Sequence, residues 1–218
     1  YDFTVERRKI EVPTVAYEML EDNIGYVQVT EFDEVTSDQY IAAVDDLKAQ
    51  GMEGLIVDIR DNPGGLLSCV VDMLDYMLPE GTIVYTEDKN GEGDTYTSDA
   101  EHYFDLPLAV LVNGNSASAS EIFSGAIQDY ETGTIIGTQT FGKGIVQSIL
   151  PFNDGSAIKI TVSRYFTPRG TCIHGEGITP DVEVDLNEEL KTKLTIEKSE
   201  DNQLQKAIEN VKEQIAAE

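Results

Sequence analysis

The sequence has few of the residues that hold metals or cross-link chains, with two histidines and two cysteines in 218 residues. His102 and His174 lie far apart, and neither has a second His, Cys or acidic cluster at metal-ligand spacing. We therefore expect no metal site. Cys69 falls in an apolar helical pattern and Cys172 in a turn-rich stretch, which predicts two free thiols, although a disulfide between them stays open.

Positive charge is also scarce, because 15 Lys and Arg stand against 41 Asp and Glu, for a formal net charge of −26. Such a polyanion repels phosphate backbones and anionic lipid, so we expect no nucleic-acid partner and no direct membrane contact. The longest apolar run, 106–112, is far shorter than the roughly 18 residues that span a bilayer. Since the chain begins at Tyr1 and not at methionine, we expect a processed form or a piece of a longer protein.

Short apolar runs alternate with loops and with amphipathic helical patterns. The predicted strands are 4–12, 15–19, 25–31, 54–61, 82–86, 108–113, 133–137 and a half-buried strand with Ile158, Ile160 and Val162 on one face. The predicted helices begin after a cap at Thr36 or Ser37, after the 62–65 loop, at residue 121 and near residue 200. Residues 87–101 predict a polar surface excursion. This alternation is typical of an α/β protein with a largely parallel sheet, whose chemistry lies in loops beyond the strand ends.

Two such loops, 62–65 and 113–119, stand out. The second is rich in tiny side chains, and a serine at the start of the following helix has free N–H groups beside it that can stabilise an oxyanion. The alternative is that one of these serines only caps the helix, with Glu121 completing the first turn. In the first loop, Gly64 and Gly65 either expose an N–H to a substrate carbonyl or form a plain strand-to-helix turn.

A serine nucleophile needs a base, and the two histidines make a weak case for a Ser-His-Asp triad. A lysine acts as a base only when it is neutral, which requires apolar surroundings without acids. Lys143 has glycines on both sides and no acid within ten residues. The end of its side chain is therefore either removed from water, as a base requires, or part of an ordinary surface turn, which is the more usual place for a glycine-flanked lysine.

Taken together, several motifs closely resemble one family, the carboxyl-terminal processing peptidases or tail-specific proteases. The motifs are DNPGGL (61–66), NGNSASASEI (113–122), TFGKGIVQ (140–147), YFTPRG (165–170) and HGEGITPDVEV (174–184). The resemblance implies an α/β fold, the Clp protease/crotonase-like ββα superhelix with peripheral N-terminal strands and a C-terminal helix. It further implies a residual strand of a missing PDZ domain or linker at 1–12, a catalytic domain at 13–190 and a packed helical extension at 191–218.

The resemblance also implies a serine endopeptidase that works through an acyl-enzyme. The implied roles are Ser118 as nucleophile, Lys143 as general base, Gln147 as the residue that orients the lysine, Gly65 and Ala119 as oxyanion hole, and Asp129 as either an acidic participant or a structural residue at a helix end. No metal or organic cofactor is implied. Members of the family usually carry a PDZ domain just before this catalytic core, and we expect the present chain to be an excised protease domain without it. We therefore expect the chain to be only weakly active by itself.

The implied substrates are unfolded or extended polypeptide C-termini, cut after small or apolar residues. The implied partners are the upstream PDZ domain and, as an open alternative, a second copy in a homo-oligomer; the implied location is the bacterial cell envelope, periplasmic or secreted. Two other functions stay open. One is a non-catalytic relative that binds peptides, and the other is an acyl-CoA enzyme on the same scaffold, which the single lysine in the candidate loops disfavours.

Overall fold

The computed structural model describes residues 1, 3–7, 12–99 and 101–217. The strands are β1 (Val15–Met19), β2 (Ile24–Val29), β3 (Gly54–Asp58), β4 (Gly81–Glu87), β5 (Thr95–Ser98), β6 (Leu108–Val112), β7 (Thr134–Gly137), β8 (Ile145–Pro151), β9 (Ala157–Phe166) and β10 (Val182–Glu183). The helices are α1 (Thr36–Ala49), α2 (Leu67–Asp75), α3 (Ala119–Tyr130) and α4 (Asn202–Ile215). A short 3-10 turn at Glu21–Asn23 connects β1 to β2.

The main sheet has six strands in the order β1-β2-β3-β6-β7-β10. Strands β2 to β10 of this sheet run parallel, and only β1 is antiparallel to its neighbour. Every residue of β3 and β6 is buried, because a parallel sheet is covered on both faces. The prediction of an α/β protein with a largely parallel sheet is therefore confirmed.

Alternate residues of the central strands face two separate apolar cores. Leu55 and Val57 of β3 pack with α1, α2 and α3 on one face. Ile56 packs on the other face with Leu204 and Val211, which are buried side chains of α4. α4 therefore packs on the face of the main sheet opposite to α1, α2 and α3.

Arg60 fastens α4 to the end of β3. Its guanidinium donates to Asp58 at 2.6 Å and lies 2.8 Å from Asp201, the residue that caps α4 by accepting the N–H groups of Gln203 and Leu204. Burial alone would lower the pKa of Arg60, but the bonds to Asp58 and Asp201 outweigh it and raise that pKa. The charged form is thus the one that this enclosed site stabilises.

A second, antiparallel sheet has the order β5-β4-β9-β8. β4 pairs with β9 only at residues 164–166, whereas β8 pairs with β9 from Ile145 to Pro151. Residues 145–163 consequently project beyond β4 as a two-stranded hairpin, which we call the ribbon. Ile158 and Val162 are 44% and 37% exposed in it, so the prediction of a half-buried strand is wrong for these two residues, whereas Ile160 is half-buried.

Other differences lie outside the core. β5 falls within the stretch 87–101, which was expected to be a surface excursion. Of the strand predicted at 4–12, residues 4–7 and 12 belong to no strand, and residues 8–11 lie outside the described residues. α1 begins at Thr36 with Val35 as its N-cap. Across the described residues, no helix is long and apolar enough to cross a membrane.

Candidate active site

The two loops predicted to carry chemistry lie at the carboxyl ends of β3 and β6, which are neighbours in the sheet. Asn62 is fully buried and joins them. Its carbonyl accepts the N–H of Ala117 at 3.0 Å and the hydroxyl of Ser120 at 2.9 Å. Its side-chain amide donates to the carbonyl of Val29 at 2.8 Å. Backbone and side-chain hydrogen bonds of Asn62 thus join the segments where the strands end.

Gly64 brings the first loop against Ser118. The residue has φ +99°, and a Cβ added to it would lie 2.6 Å from the carbonyl oxygen of Ala117 and 2.8 Å from the Cβ of Ser118. Both facts require glycine, because an L side chain rarely adopts this φ and has no space here. The loops therefore touch at the residue that the resemblance implies as nucleophile.

Ser118 precedes the first residue of α3 and has φ 58° and ψ −112°. This is a sparsely populated conformation for a residue with a side chain, of a kind that costs on the order of 1–3 kcal/mol and recurs at functional sites. Ser118 is half-buried. A strained, accessible serine at a helix N-terminus is suited to nucleophilic attack, since α3 directs its free N–H groups and positive dipole end to the same point.

Two N–H groups near Ser118 have no acceptor in the described part of the chain. Ala119 begins α3, so its N–H lacks an acceptor within the helix. Gly65 pairs in parallel with Phe32, whose N–H and carbonyl bond to Gly64 and Leu66. The N–H of Gly65 therefore points away from Phe32. Such a pair of free donors can stabilise a negatively charged oxygen.

Glu121 is the centre of the site, and its side chain is fully buried. Its Oε1 accepts the hydroxyl of Thr140 at 2.7 Å and the N–H of Gly142 at 2.6 Å. Its Oε2 accepts the N–H groups of Ser118 and Lys143, both at 2.8 Å. Four donors thus replace the water that a buried carboxylate loses. The two backbone nitrogens consequently lie no further apart than twice 2.8 Å.

A segment at 173–178 supports the lysine loop from behind. Thr140 and Ile178 exchange hydrogen bonds, and Gly175 donates to the carbonyl of Gly142 at 2.9 Å. A Cβ at Gly177 would lie 2.7 Å from the carbonyl oxygen of Thr140. The motif HGEGITP therefore functions as a brace for the loop that carries Lys143.

The side chain of Lys143 is exposed, which agrees with the surface turn and not with a side-chain end removed from water. The flanking residues are uncharged, but the loop lies at the surface and directs only its amides inward. Gln147 is also exposed, on β8. Among the described residues, no hydrogen bond joins the hydroxyl of Ser118 to the amine of Lys143.

The structure does not bring Asp129 to the other candidates. α3 separates it from Ser118 by roughly 16 Å at 1.5 Å per residue. Its carboxylate accepts the backbone N–H of Arg169 at 2.7 Å. This contact matches the second reading of the sequence, in which Asp129 is a structural residue at a helix end.

Sequence reasoning considered Glu121 only as a first-turn residue and missed Thr140. The spacing of Ser118 and Glu121 was a signal, since it matches a capping box. No signal pointed to Thr140, because its role depends on a contact across 19 residues. The described residues include no group of three or more His, Cys, Asp or Glu that could hold a metal ion. Cys69 is buried, Cys172 is half-buried, and both are free thiols.

Comparison with known proteins identifies the family. The model of peptidase family S41 matches residues 23–184. A carboxyl-terminal-processing protease of Synechocystis sp. is 41% identical over 184 residues, covering 83% of this chain and 43% of the relative. The carboxy-terminal processing protease CtpA of Bacillus subtilis is 39% identical over 186 residues, covering 85% and 40%. The chain thus spans less than half the length of these relatives.

Solved structures agree. A photosystem II D1 C-terminal processing protease has a TM-score of 0.75 and 35% identity, covering 82% of this chain and 50% of that one. The tricorn protease, at a TM-score of 0.53 and 19% identity over 89% of this chain and 18% of its own, shares the fold alone. The predicted fold class and the resemblance to carboxyl-terminal processing peptidases are confirmed, and the chain belongs to peptidase family S41.

Proposed function

We propose that this chain is the catalytic domain of a serine endopeptidase, with Ser118 as nucleophile and Lys143 as general base. The observation that carries the proposal is the shared oxygen of Glu121, which accepts the N–H groups of both residues at 2.8 Å. A single buried carboxylate therefore fixes the backbone of both candidates. Because the two backbone nitrogens lie within twice 2.8 Å of each other, we propose that rotation about the bonds of the lysine side chain brings its amine to Ser118.

In the proposed reaction, neutral Lys143 removes the hydroxyl proton of Ser118 while the serine oxygen attacks a peptide carbonyl. The tetrahedral oxyanion accepts hydrogen bonds from the N–H groups of Gly65 and Ala119. Collapse of this intermediate breaks the peptide C–N bond, and the amine leaves with the proton that Lys143 carried. A water molecule then attacks the ester, with Lys143 again as base, and releases the acid and Ser118.

The exposed amine of Lys143 is consistent with a dyad that aligns when substrate covers it. Catalytic hydrogen bonds are often absent in ligand-free proteins and form in the substrate complex. Burial under a substrate strand would disfavour the charged form of the amine, and Gln147 on β8 would orient it. An upstream PDZ domain would assist this alignment, so weak activity of the chain alone is part of the proposal.

The natural substrates are proposed to be C-terminal segments of polypeptides in extended form, since the relatives are named carboxyl-terminal processing proteases. We further propose that the protein works outside the cytoplasm, in a bacterial cell envelope, as the resemblance to carboxyl-terminal processing peptidases implies. A homo-oligomer is compatible with this proposal and not required by it.

Hydrolysis of denatured casein tests the dyad. We expect Ser118→Ala and Lys143→Ala each to lower turnover by about a thousandfold or more, because each removes a group of one catalytic unit. Ser156→Ala and Lys89→Ala, at exposed residues of other turns, serve as matched controls and should retain wild-type turnover. Normal turnover in either dyad variant would show that the reaction does not depend on this pair.

A fluorophosphonate probe decides between the protease and its non-catalytic alternative. An activated serine forms a covalent adduct at Ser118, and the adduct should be lost in Lys143→Ala. A wild-type protein that binds extended peptides but neither reacts with the probe nor cleaves casein would be a peptide-binding relative instead.

A further inference from the structure

A short segment between β2 and α1, residues 30–34, runs alongside the loop that carries Gly65. Residues 30, 31, 33 and 34 are exposed, whereas Phe32 is buried. The N–H of Phe32 donates to the carbonyl of Gly64 at 3.0 Å, and the carbonyl of Phe32 accepts the N–H of Leu66 at 2.7 Å. The segment therefore pairs, through one residue, with the loop that supplies a candidate oxyanion donor.

The peptide group between Gly64 and Gly65 connects this pairing to the proposed chemistry. A trans peptide group is planar, and its carbonyl and N–H point in opposite directions. Because the carbonyl of Gly64 points at Phe32, the N–H of Gly65 points away from Phe32 and is left to act as an oxyanion donor. A Cβ at Gly65 would collide with the carbonyl oxygen of Phe32, so the two backbones are in direct contact. A shift of the Phe32 backbone would consequently change the direction of the donor.

The hydroxyl of Thr36 holds the segment that carries Phe32. Thr36 is fully buried. Its Oγ1 accepts the N–H of Asp33 at 2.9 Å and donates to the carbonyl of Glu31 at 3.2 Å, so it bonds to the residues on both sides of Phe32. The hydroxyl of Thr14 lies 2.6 Å from the same atom. With Thr14 as donor, the one donor and two acceptor sites of the Thr36 hydroxyl are all in use.

These contacts differ from those of a helix cap. A threonine at the start of a helix normally accepts a free N–H group of the first turn. Among the described residues, the Thr36 hydroxyl bonds to groups that precede α1. On the other side of the segment, the ring of Phe32 packs against Phe123 of α3, with 6.4 Å between the ring centroids. The side chain of Phe32 is thus held by the core, and its backbone is held by Thr36.

We propose that Thr36 is a positioning residue for the oxyanion hole and acts through Phe32 on the N–H of Gly65. Its hydroxyl keeps the backbone at 31–33 in the arrangement that directs this N–H at the reacting carbonyl oxygen. The inference rests on the proposed peptidase function, in which Gly65 stabilises the tetrahedral intermediate. It gives the Gly65 side of the oxyanion hole a support of its own, separate from Glu121.

Removal of the hydroxyl tests the proposal. Thr36→Val keeps the shape of the side chain without the hydroxyl, whereas Thr36→Ser keeps the hydroxyl. We expect Thr36→Val to lower kcat for labelled casein about thirtyfold with KM within about twofold, because a misdirected oxyanion donor weakens binding of the transition state and not of the substrate. Thr36→Ser should restore kcat to within about twofold of wild type.

Ser98→Ala is the matched control for the loss of a buried hydroxyl. The hydroxyl of Ser98 is buried and donates to the carbonyls of Pro79 and Gly81, in another part of the fold. Ser98→Ala should therefore retain the kcat and KM of wild type. A kcat for Thr36→Val equal to that of wild type, or a loss of kcat of the same size in Ser98→Ala, would overturn the proposal.

A transition-state analogue separates positioning from a general loss of structure. In the aldehyde acetyl-Ala-Ala-alaninal, the oxygen of Ser118 would bond to the carbonyl carbon and form a hemiacetal, whose oxygen occupies the oxyanion hole. The corresponding alcohol cannot form this bond. In Thr36→Val, the inhibition constant of the aldehyde should rise about as much as kcat/KM falls, and that of the alcohol should stay within about twofold. Equal losses of affinity for both compounds would contradict a role in the oxyanion hole.

Nuclear magnetic resonance observes the donor without catalysis. The protein has 18 glycines, so ¹⁵N-glycine labelling gives a spectrum that can be assigned. In Thr36→Val the amide signal of Gly65 should shift or broaden, whereas those of Gly91 and Gly155, which face open space, should not change. An unchanged Gly65 signal in a folded Thr36→Val protein would refute the proposal.

Thr14→Val gives the test a second variant should Thr36→Val not fold. It removes one partner of the Thr36 hydroxyl and should change the Gly65 signal in the same direction, with kcat lowered about threefold; unchanged values of both would refute the proposal. A wild-type protein that neither cleaves casein nor prefers the aldehyde to the alcohol, while Gly65 still responds to Thr36→Val, would refute the peptidase function and leave the link from Thr36 to Gly65 standing.

Discussion

The carboxylate of Glu121 accepts the backbone N–H of Lys143 at 2.8 Å, across 22 residues of sequence. The same oxygen accepts the N–H of Ser118. The strand-end loop that carries the serine and the surface loop that carries the lysine are therefore held by one buried atom. Changes to that atom are expected to act on both loops together.

Glu121→Gln should lower both stability and activity. The amide group that replaces one oxygen faces two donors, leaving buried N–H groups without an acceptor, and we expect a loss of about 3 kcal/mol of unfolding free energy. Displacement of either loop by about 1 Å should lower kcat roughly a hundredfold. Urea denaturation and casein hydrolysis measure the two effects. Glu213→Gln, at an exposed position of α4, is the control, and an equal response in both variants would contradict the role of Glu121.

Gly64→Ala should inactivate the protein. The added Cβ clashes with the carbonyl oxygen of Ala117 and the Cβ of Ser118, which displaces the serine. In addition, the alanine backbone would have to adopt φ +99°. Gly155→Ala places a Cβ at φ +84° in open space and isolates the backbone effect, at about 1 kcal/mol. We expect kcat to fall roughly a hundredfold in the first variant and to be retained in the second. Full activity of Gly64→Ala would mean that the two loops are not tightly packed in solution.

Asp129→Asn should leave kcat within about twofold of wild type, because Asp129 lies roughly 16 Å along α3 from Ser118. The variant should be slightly less stable, since it weakens a charge-assisted bond to the N–H of Arg169. Single-turnover kinetics and thermal unfolding distinguish the two readings of this residue. A folded Asp129→Asn protein with a hundredfold lower kcat would assign Asp129 a part in the chemistry.

The two thiols should react at very different rates. Burial, more than any other influence, raises the pKa of Cys69 to about 11, so almost none of it is thiolate at pH 8. The folded state favours the protonated thiol of Cys69. The contribution of this thiol to the free energy of unfolding is therefore complete below about pH 9 and is lost as the pH rises towards 11. We expect a thiol-reactive disulfide reagent to titrate one cysteine quickly at pH 8 and the second only after unfolding. The fast phase should disappear in Cys172→Ser; two fast thiols would contradict the buried position of Cys69.

The sequence predicted elements whose cause is local. The runs that became β3 and β6 are mainly apolar stretches bounded by polar or glycine-containing loops, and Gly51, with φ +90°, follows the C-cap residue of α1. Contacts between distant segments were not predictable from such patterns. The exposure of Lys143 and the acceptor role of Glu121 depend on how the segment at 173–178 positions the lysine loop. The roles assigned to Ser118, Lys143, Gln147, Gly65 and Ala119 stay predictions.

The uncovered row on β9 illustrates a further limit. Its alternation predicted a strand with one buried face. The prediction failed because a local pattern shows that a face is apolar but not which part of the protein, or which other molecule, covers it. β5 was missed for the opposite reason. Its sequence, Thr95–Ser98, lies in a polar stretch, and pairing with β4 makes it a strand.

The ion pair of Arg60 with Asp201 can form only after most of the chain has been synthesised. Its two partners are separated by 141 residues, and α4 covers one whole face of the main sheet. A ribosome will already have released both candidate catalytic loops while that face still lacks its cover. The apolar side chains that α4 covers therefore stay exposed until α4 has left the exit tunnel, and we expect the native fold to be completed only then.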